Sequence, residues 1–199
     1  MILFFAALLA GVGIGYLRGG RWQALSSFRV RWPLLPAVAV ALQMILAVAP
    51  ALRGIGGARP AMLVASYLLV GGWIWANALV RDGPLRRALV LVAEGWLLNV
   101  VVMAANGGMP VSGSALARIG HAGVVVSHGH LWKHVAVSSA TRIPLLGDVI
   151  PVPVPLLRSV ISVGDVAMLL GLGVAAAVVV AQGQLAADPI RSTAKPVAA

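Results

Sequence analysis

The chain has 199 residues, of which 60% are hydrophobic and only 10% are charged, 15 basic and 5 acidic; mean hydropathy is +0.98. An average soluble domain is about 45–50% apolar and about 25% charged, so this composition excludes a soluble enzyme and points to helices packed in lipid. The net charge of +10 lies in segments beside apolar runs, which directs it to lipid headgroups rather than to nucleic acid. With no cysteine, a disulfide framework, a thiolate metal site and a cysteine nucleophile are excluded as well.

Crossing roughly 30 Å of hydrocarbon takes about 20 apolar residues. In chain order the runs that qualify are Met1–Leu17, Pro33–Leu52, Ala61–Val80, Ala88–Ala105 and Ser159–Gln182. The first has no basic region before it, and Arg18 and Arg21 follow it, which is the reverse of a secretion signal and predicts a retained helix. Alternating, turn-punctuated strands are missing, which argues against an outer-membrane barrel. The expected fold is all-α: a polytopic bundle of five transmembrane helices forming a single domain over 1–187, with a partly folded outer cap over 106–158 and a disordered cytoplasmic tail over 188–199.

Arg18, Arg21, Arg29 and Arg31 fill the first loop and Arg81, Arg86 and Arg87 the third. The positive-inside rule then puts these loops and the C-terminus in the cytoplasm and the N-terminus and the long loop outside, in a multi-pass protein of the cytoplasmic membrane. Gly11, Gly13 and Gly15 in the first run and Gly171 and Gly173 in the last allow close backbone approach, through packing of these two helices on each other or through dimerisation.

Few polar groups fall within the hydrocarbon zone: Gln43, Asn77, Glu94, Asn99 and Asp165. A charge at the centre of a spanning helix costs about 2.5–3.5 kcal/mol on insertion scales, so such groups are expected to face protein or water. At about 1.5 Å of rise per residue, Asn99 and Asp165 lie at the same depth, roughly 9 Å below the outer surface, within reach of each other. Gln43 falls near the middle, Glu94 deeper and Asn77 nearest the cytoplasm, a graded series that suits either a proton- or ion-responsive track through Glu94 or plain hydrogen bonding between helices.

The long outer segment is too apolar for a disordered linker, and its prolines exclude one continuous helix; Pro151-Val152-Pro153-Val154-Pro155 favours extended polyproline geometry. It carries all four histidines, at 121, 128, 130 and 134, but no acidic residue lies within that cluster to orient a metal, and no metal site or cofactor is expected. Asn106, Lys133, His134, Arg142 and Asp148 are the outer-loop binding candidates. Lys133 and Arg142 suit a lipid phosphate at headgroup depth, and Asp148 is placed to pair with Arg142.

The segments Asn99 to Ser112 (NVVVMAANGGMPVS), Lys133-His134, Thr141-Arg142, Leu146 to Pro151 (LGDVIP) and Ser162 to Asp165 (SVGD), in this order, resemble an uncharacterised family of small polytopic bacterial membrane proteins, the domain of unknown function 5317. The first 90 residues match it only in hydropathy and basic loops, and the histidines at 121, 128 and 130 stand outside its pattern. The resemblance implies an α-helical protein of the cytoplasmic membrane and attaches no activity. Three functions follow from the residues. The first is a lipid-headgroup or membrane-complex binding protein acting through the outer loop, with membrane lipids, a membrane protein or a second copy as partner. The second is a small transporter or channel subunit using the intramembrane carboxylates. The third is a membrane enzyme acting on a lipid through His134 and Asp148.

Overall fold

The computed structural model describes residues 2–48, 58–121, 130–131 and 134–185. Its long helices are α1 (Ile2–Leu17), α3 (Leu34–Val48), α4 (Ala58–Leu79), α5 (Gly83–Asn106) and α7 (Val163–Leu185); α2 (Ala24–Ser27) and α6 (Gly113–Arg118) are short. Among the described residues three helices are long and apolar enough to cross a membrane: Ala61–Leu79 within α4, all of α5, and Val163–Gln182 within α7. At about 1.5 Å per residue, the 16 residues of α1 and 15 of α3 make shorter apolar rods.

Helix α7 is the shared partner, packing most extensively on α5 and next on α1, while α3 packs on α4 and α4 on α5. Small residues make these approaches. An added Cβ would lie 2.1 Å from the Gly173 carbonyl oxygen at Gly11, 2.7 Å from that of Ala177 at Gly15, and 2.7 Å from that of Ala88 at Gly171. The expected pairing of first and last helices is thus made by Gly11 and Gly15, whereas Gly13 meets nothing and Gly171 serves α5 instead.

Helix starts differ from the apolar runs for local reasons. Pro84 sits in the first turn of α5, where its missing N–H costs nothing, so the helix begins at Gly83 and takes Arg86 and Arg87 into its first turns. Helix α7 begins at Val163 because Ser162 caps it: Ser162 Oγ accepts from Asp165 N at 2.9 Å and the Asp165 carboxylate accepts from Ser162 N at 3.2 Å, a reciprocal capping box. The preceding residues expected in that helix form strand β5 (Ser159–Ile161), antiparallel to β4 (Ile150–Val152). Pro151 is therefore paired in a two-stranded hairpin rather than continuing a polyproline segment into the helix.

The helices alternate in direction, so one end gathers the basic loops. There the Asn77 side chain receives Arg31 N at 2.9 Å and donates to Arg31 O at 3.0 Å, and the Arg81 guanidinium lies 4.5 Å over the Phe28 ring while donating to the Arg29 carbonyl. The other end carries the cap. It contains a three-stranded sheet in the order β1-β3-β2, with β1 (Met109–Val111) parallel to β3 (His134–Ala136) and β2 (His130–Leu131) antiparallel to it. On the free side of β1, Val111 bridges Asp148, with Asp148 N donating to Pro110 O at 2.7 Å and Ser112 N to Asp148 O at 2.9 Å. Lys133, His128, the end of the second apolar run after residue 48 and the tail 188–199 lie outside the described residues.

Candidate functional site

Where the cap meets the helices, a cavity of about 220 Å³ opens, lined by Phe4 of α1, Gln43 of α3, Tyr67 of α4, Trp96 and Asn99 of α5, Asp165 and Met168 of α7, and His134 and Asp148 of the cap. Five helices and the cap thus supply polar atoms or aromatic rings to one space. The fold accounts for each. Successive antiparallel spans put equal depths side by side, so Asn99 near the end of α5 meets Asp165 near the start of α7, and Asn99 Nδ2 donates to Asp165 Oδ1 at 2.8 Å. Ser162 Oγ donates to Asn99 Oδ1 at 2.7 Å, closing a triangle between the two helices. Gly95 and Gly164 let this triangle form, since a Cβ at Gly164 would stand 2.1 Å from Asn99 Oδ1. On the opposite wall Gln43 Nε2 donates to Ser66 Oγ at 3.3 Å, and Ser66 Oγ donates to Leu63 O at 2.7 Å.

The cap contributes through its sheet. Register sets His134 opposite Met109, and the bridge on the other side of β1 sets Asp148 beside Val111; His134 Nε2 then lies 3.6 Å from Asp148 Oδ2. Asp148 is buried and His134 half-buried. This approach replaces the expected Asp148–Arg142 pair. Arg142 is exposed, and it is its backbone that is held: Arg142 N donates to Asn106 Oδ1 at 2.7 Å, and Asn106 Nδ2 donates to Arg142 O at 2.8 Å. Asn106, the last residue of α5, is a clasp between helix and cap. Asn106→Ala removes both bonds, and limited trypsin digestion is expected to cut after Arg142 several-fold faster than in the parent while the long helices stay intact.

Of the residues singled out in the sequence, Gln43, Asn99, His134, Asp148 and Asp165 line the one cavity. Asn77 belongs to the far end with Arg31, and Glu94 is exposed on α5 and does not line the cavity. A continuous series from Asn77 through Glu94 to Asp165 is not what these positions form. Tyr67, Trp96 and Ser162 are additions. Ser162 was legible as the start of a Ser-x-x-Asp signature before an apolar run; Tyr67 and Trp96 had no signal beyond being aromatic within an apolar helix. Among the described residues no group of three or more His, Asp or Glu side chains is arranged to hold a metal ion.

Comparison with known proteins adds a family. A model described as a family of unknown function (DUF5317) matches residues 27–177, which include α3 to α6, the cap and most of α7. No curated protein and no solved structure matches the chain.

Proposed function

Given that the chain belongs to the family of unknown function DUF5317, we propose from its geometry that it is a multi-pass protein of the cytoplasmic membrane that binds a small cationic group in the cavity beneath its outer cap. The observation that carries this reading is Asp165. Its carboxylate lines the cavity, receives hydrogen bonds from two neutral donors, Asn99 Nδ2 and Ser162 N, and makes no ion pair among the described residues. The capping box accounts for one oxygen of that carboxylate. It does not account for an open cavity around it that is walled by Gln43, Tyr67 and His134. An ammonium group brings both the missing charge and donors to a site rich in oxygen acceptors. This departs from a phosphate held by Lys133 and Arg142: Arg142 is exposed on the cap, and its peptide group is the part that is engaged.

In this reading α1 and α3 cross beside α7 and α4 to make five spans, N-out and C-in, with the basic loops in the cytoplasm and the cap outside. Exposed Ile143, Leu145, Val154 and Leu156 on the cap suit contact with the outer leaflet. A reporter fused after Gln182 is expected to be active only when it is of the kind that works in the cytoplasm; activity confined to an exported reporter would reverse the orientation.

The binding reading is tested by calorimetry on the purified protein in nanodiscs. Ethylammonium is expected to bind saturably and inorganic phosphate not at all. A charged hydrogen bond is worth about 1.5–3 kcal/mol, so Asp165→Asn is expected to weaken the amine at least about tenfold. Gln43→Ala, on the other wall, is expected to weaken it less. Absence of saturable amine binding, or equal affinity in Asp165→Asn, would refute the reading. The approach of His134 to Asp148 favours a second one, in which the bound molecule is also turned over with His134 as the proton carrier. Lipid turnover by the reconstituted protein, lost in His134→Ala while amine binding persists, would establish it.

A further inference from the structure

A second cavity, of about 260 Å³, lies in the groove between α4 and α5. Its walls differ in kind from the first: Leu63, Val64 and Leu68 of α4 face Val100 and Ala104 of α5, with no ionisable side chain but the Tyr67 phenol. Tyr67, Trp96 and Met103 line both cavities, so a wall of three side chains separates a polar space from an apolar one. Val64 and Leu68 are 57% and 64% exposed, which leaves the groove's outer side open to whatever surrounds the helices. Trp96, part of that shared wall, keeps its indole N–H covered and without an acceptor among the described residues.

Resting on the amine-binding reading above, we propose that the ligand is an amphiphile of the outer leaflet, with its amine head at Asp165 and its hydrocarbon chain along the α4/α5 groove. Four features of the site match such a molecule. The head meets a carboxylate, and the chain meets aliphatic side chains. The junction of head and chain passes the Tyr67–Trp96–Met103 wall, where an ester or hydroxyl oxygen of the amphiphile would give the indole N–H its acceptor. The groove opens sideways, where a lipid enters without crossing the aqueous phase. A soluble polyamine fits the polar cavity equally well but leaves the groove and the indole unanswered.

The test uses dodecylamine bearing a photoreactive diazirine in mid-chain, bound to the full-length protein in nanodiscs. After irradiation, mass spectrometry is expected to find adducts concentrated on residues 63–68 and 100–104, reduced at least tenfold by excess ethylammonium, which competes for the head site alone. Adducts on other membrane-facing residues are expected to be insensitive to that competitor. Val100→Trp, which fills the groove, is expected to remove the competed adducts while ethylammonium still binds by calorimetry. Adducts spread evenly and indifferent to ethylammonium, in a protein that binds ethylammonium, would overturn the amphiphile and leave the amine site standing. Failure of ethylammonium itself to bind would remove both.

Discussion

Gly164→Ala is expected to unmake the crossing of α5 and α7, and Gly13→Ala to be harmless. At Gly164 a Cβ would stand 2.1 Å from Asn99 Oδ1 and 2.5 Å from the Gly95 carbonyl oxygen. The first contact is relieved only by moving the Asn99 amide, which breaks its bonds to Ser162 Oγ and Asp165 Oδ1, and the second is with backbone, so the helices must separate along their length. Overpacking of this sort costs about 1–3 kcal/mol and more when backbone cannot yield. At Gly13 nothing lies within 4 Å of the added carbon, and exchanging Gly for Ala inside a helix gains about 0.5–1 kcal/mol. Thermal denaturation of the detergent-purified variants, followed by size-exclusion chromatography, checks the contrast. Equal melting temperatures for both would mean that the small residues on α7 do not set the helix spacing.

Asn99→Leu is the second large effect. It takes the acceptor from the fully buried Ser162 Oγ and a donor from the half-buried Asp165 Oδ1. Each deserted partner costs about 1–3 kcal/mol, so the variant is expected to lose roughly 2–6 kcal/mol and to bind ethylammonium poorly. Ser162→Ala alone also removes the cap of α7, worth about 1 kcal/mol. Because Asn99 and Ser162 share one network, the double variant is expected to be less destabilised than the two single losses added together. Strict additivity in chemical denaturation would mean that the triangle does not act as a unit.

The meeting of Asn99 and Asp165 was legible from depth alone, because α5 and α7 are successive long helices that run antiparallel, so equal distances from the cap end become lateral proximity. The approach of His134 to Asp148 was not. It depends on the parallel pairing of β1 with β3 and on a lone bridge on the other edge of β1, both made by non-local contacts inside the cap that no periodicity announces. The Arg142–Asp148 expectation treated charge as the strongest partner in sight. In the structure a neutral amide, Asn106, grips the Arg142 peptide instead, since hydrogen bonds to backbone fix a turn as firmly as an ion pair fixes side chains. Hydropathy placed the start of α5 too late because it stops at Arg86 and Arg87, whereas a helix continues into water without regard to the membrane. It placed the start of α7 too early because Ser159–Ile161 is as apolar in strand as in helix, and only the capping signature at Ser162 marks the boundary.

The position of α7 in the chain also bears on assembly. Both α1 and α5 rest their small-residue faces on it, yet it is synthesised after them. During translation Gly11 and Gly15 are without the surface they fit, and so is the α5 ridge around Gly95. The earlier helices therefore lack their common partner until α7 is made, and the packing of α1 and α5 on it is completed last. Ser162 and Asp165 stand at the leading end of that helix, so the residues that start it are also the ones that lock it to Asn99. A ribosome stalled before residue 162 would leave the other four long helices made but the cavity without Asp165 and Met168, so the site is closed only once α7 has been added.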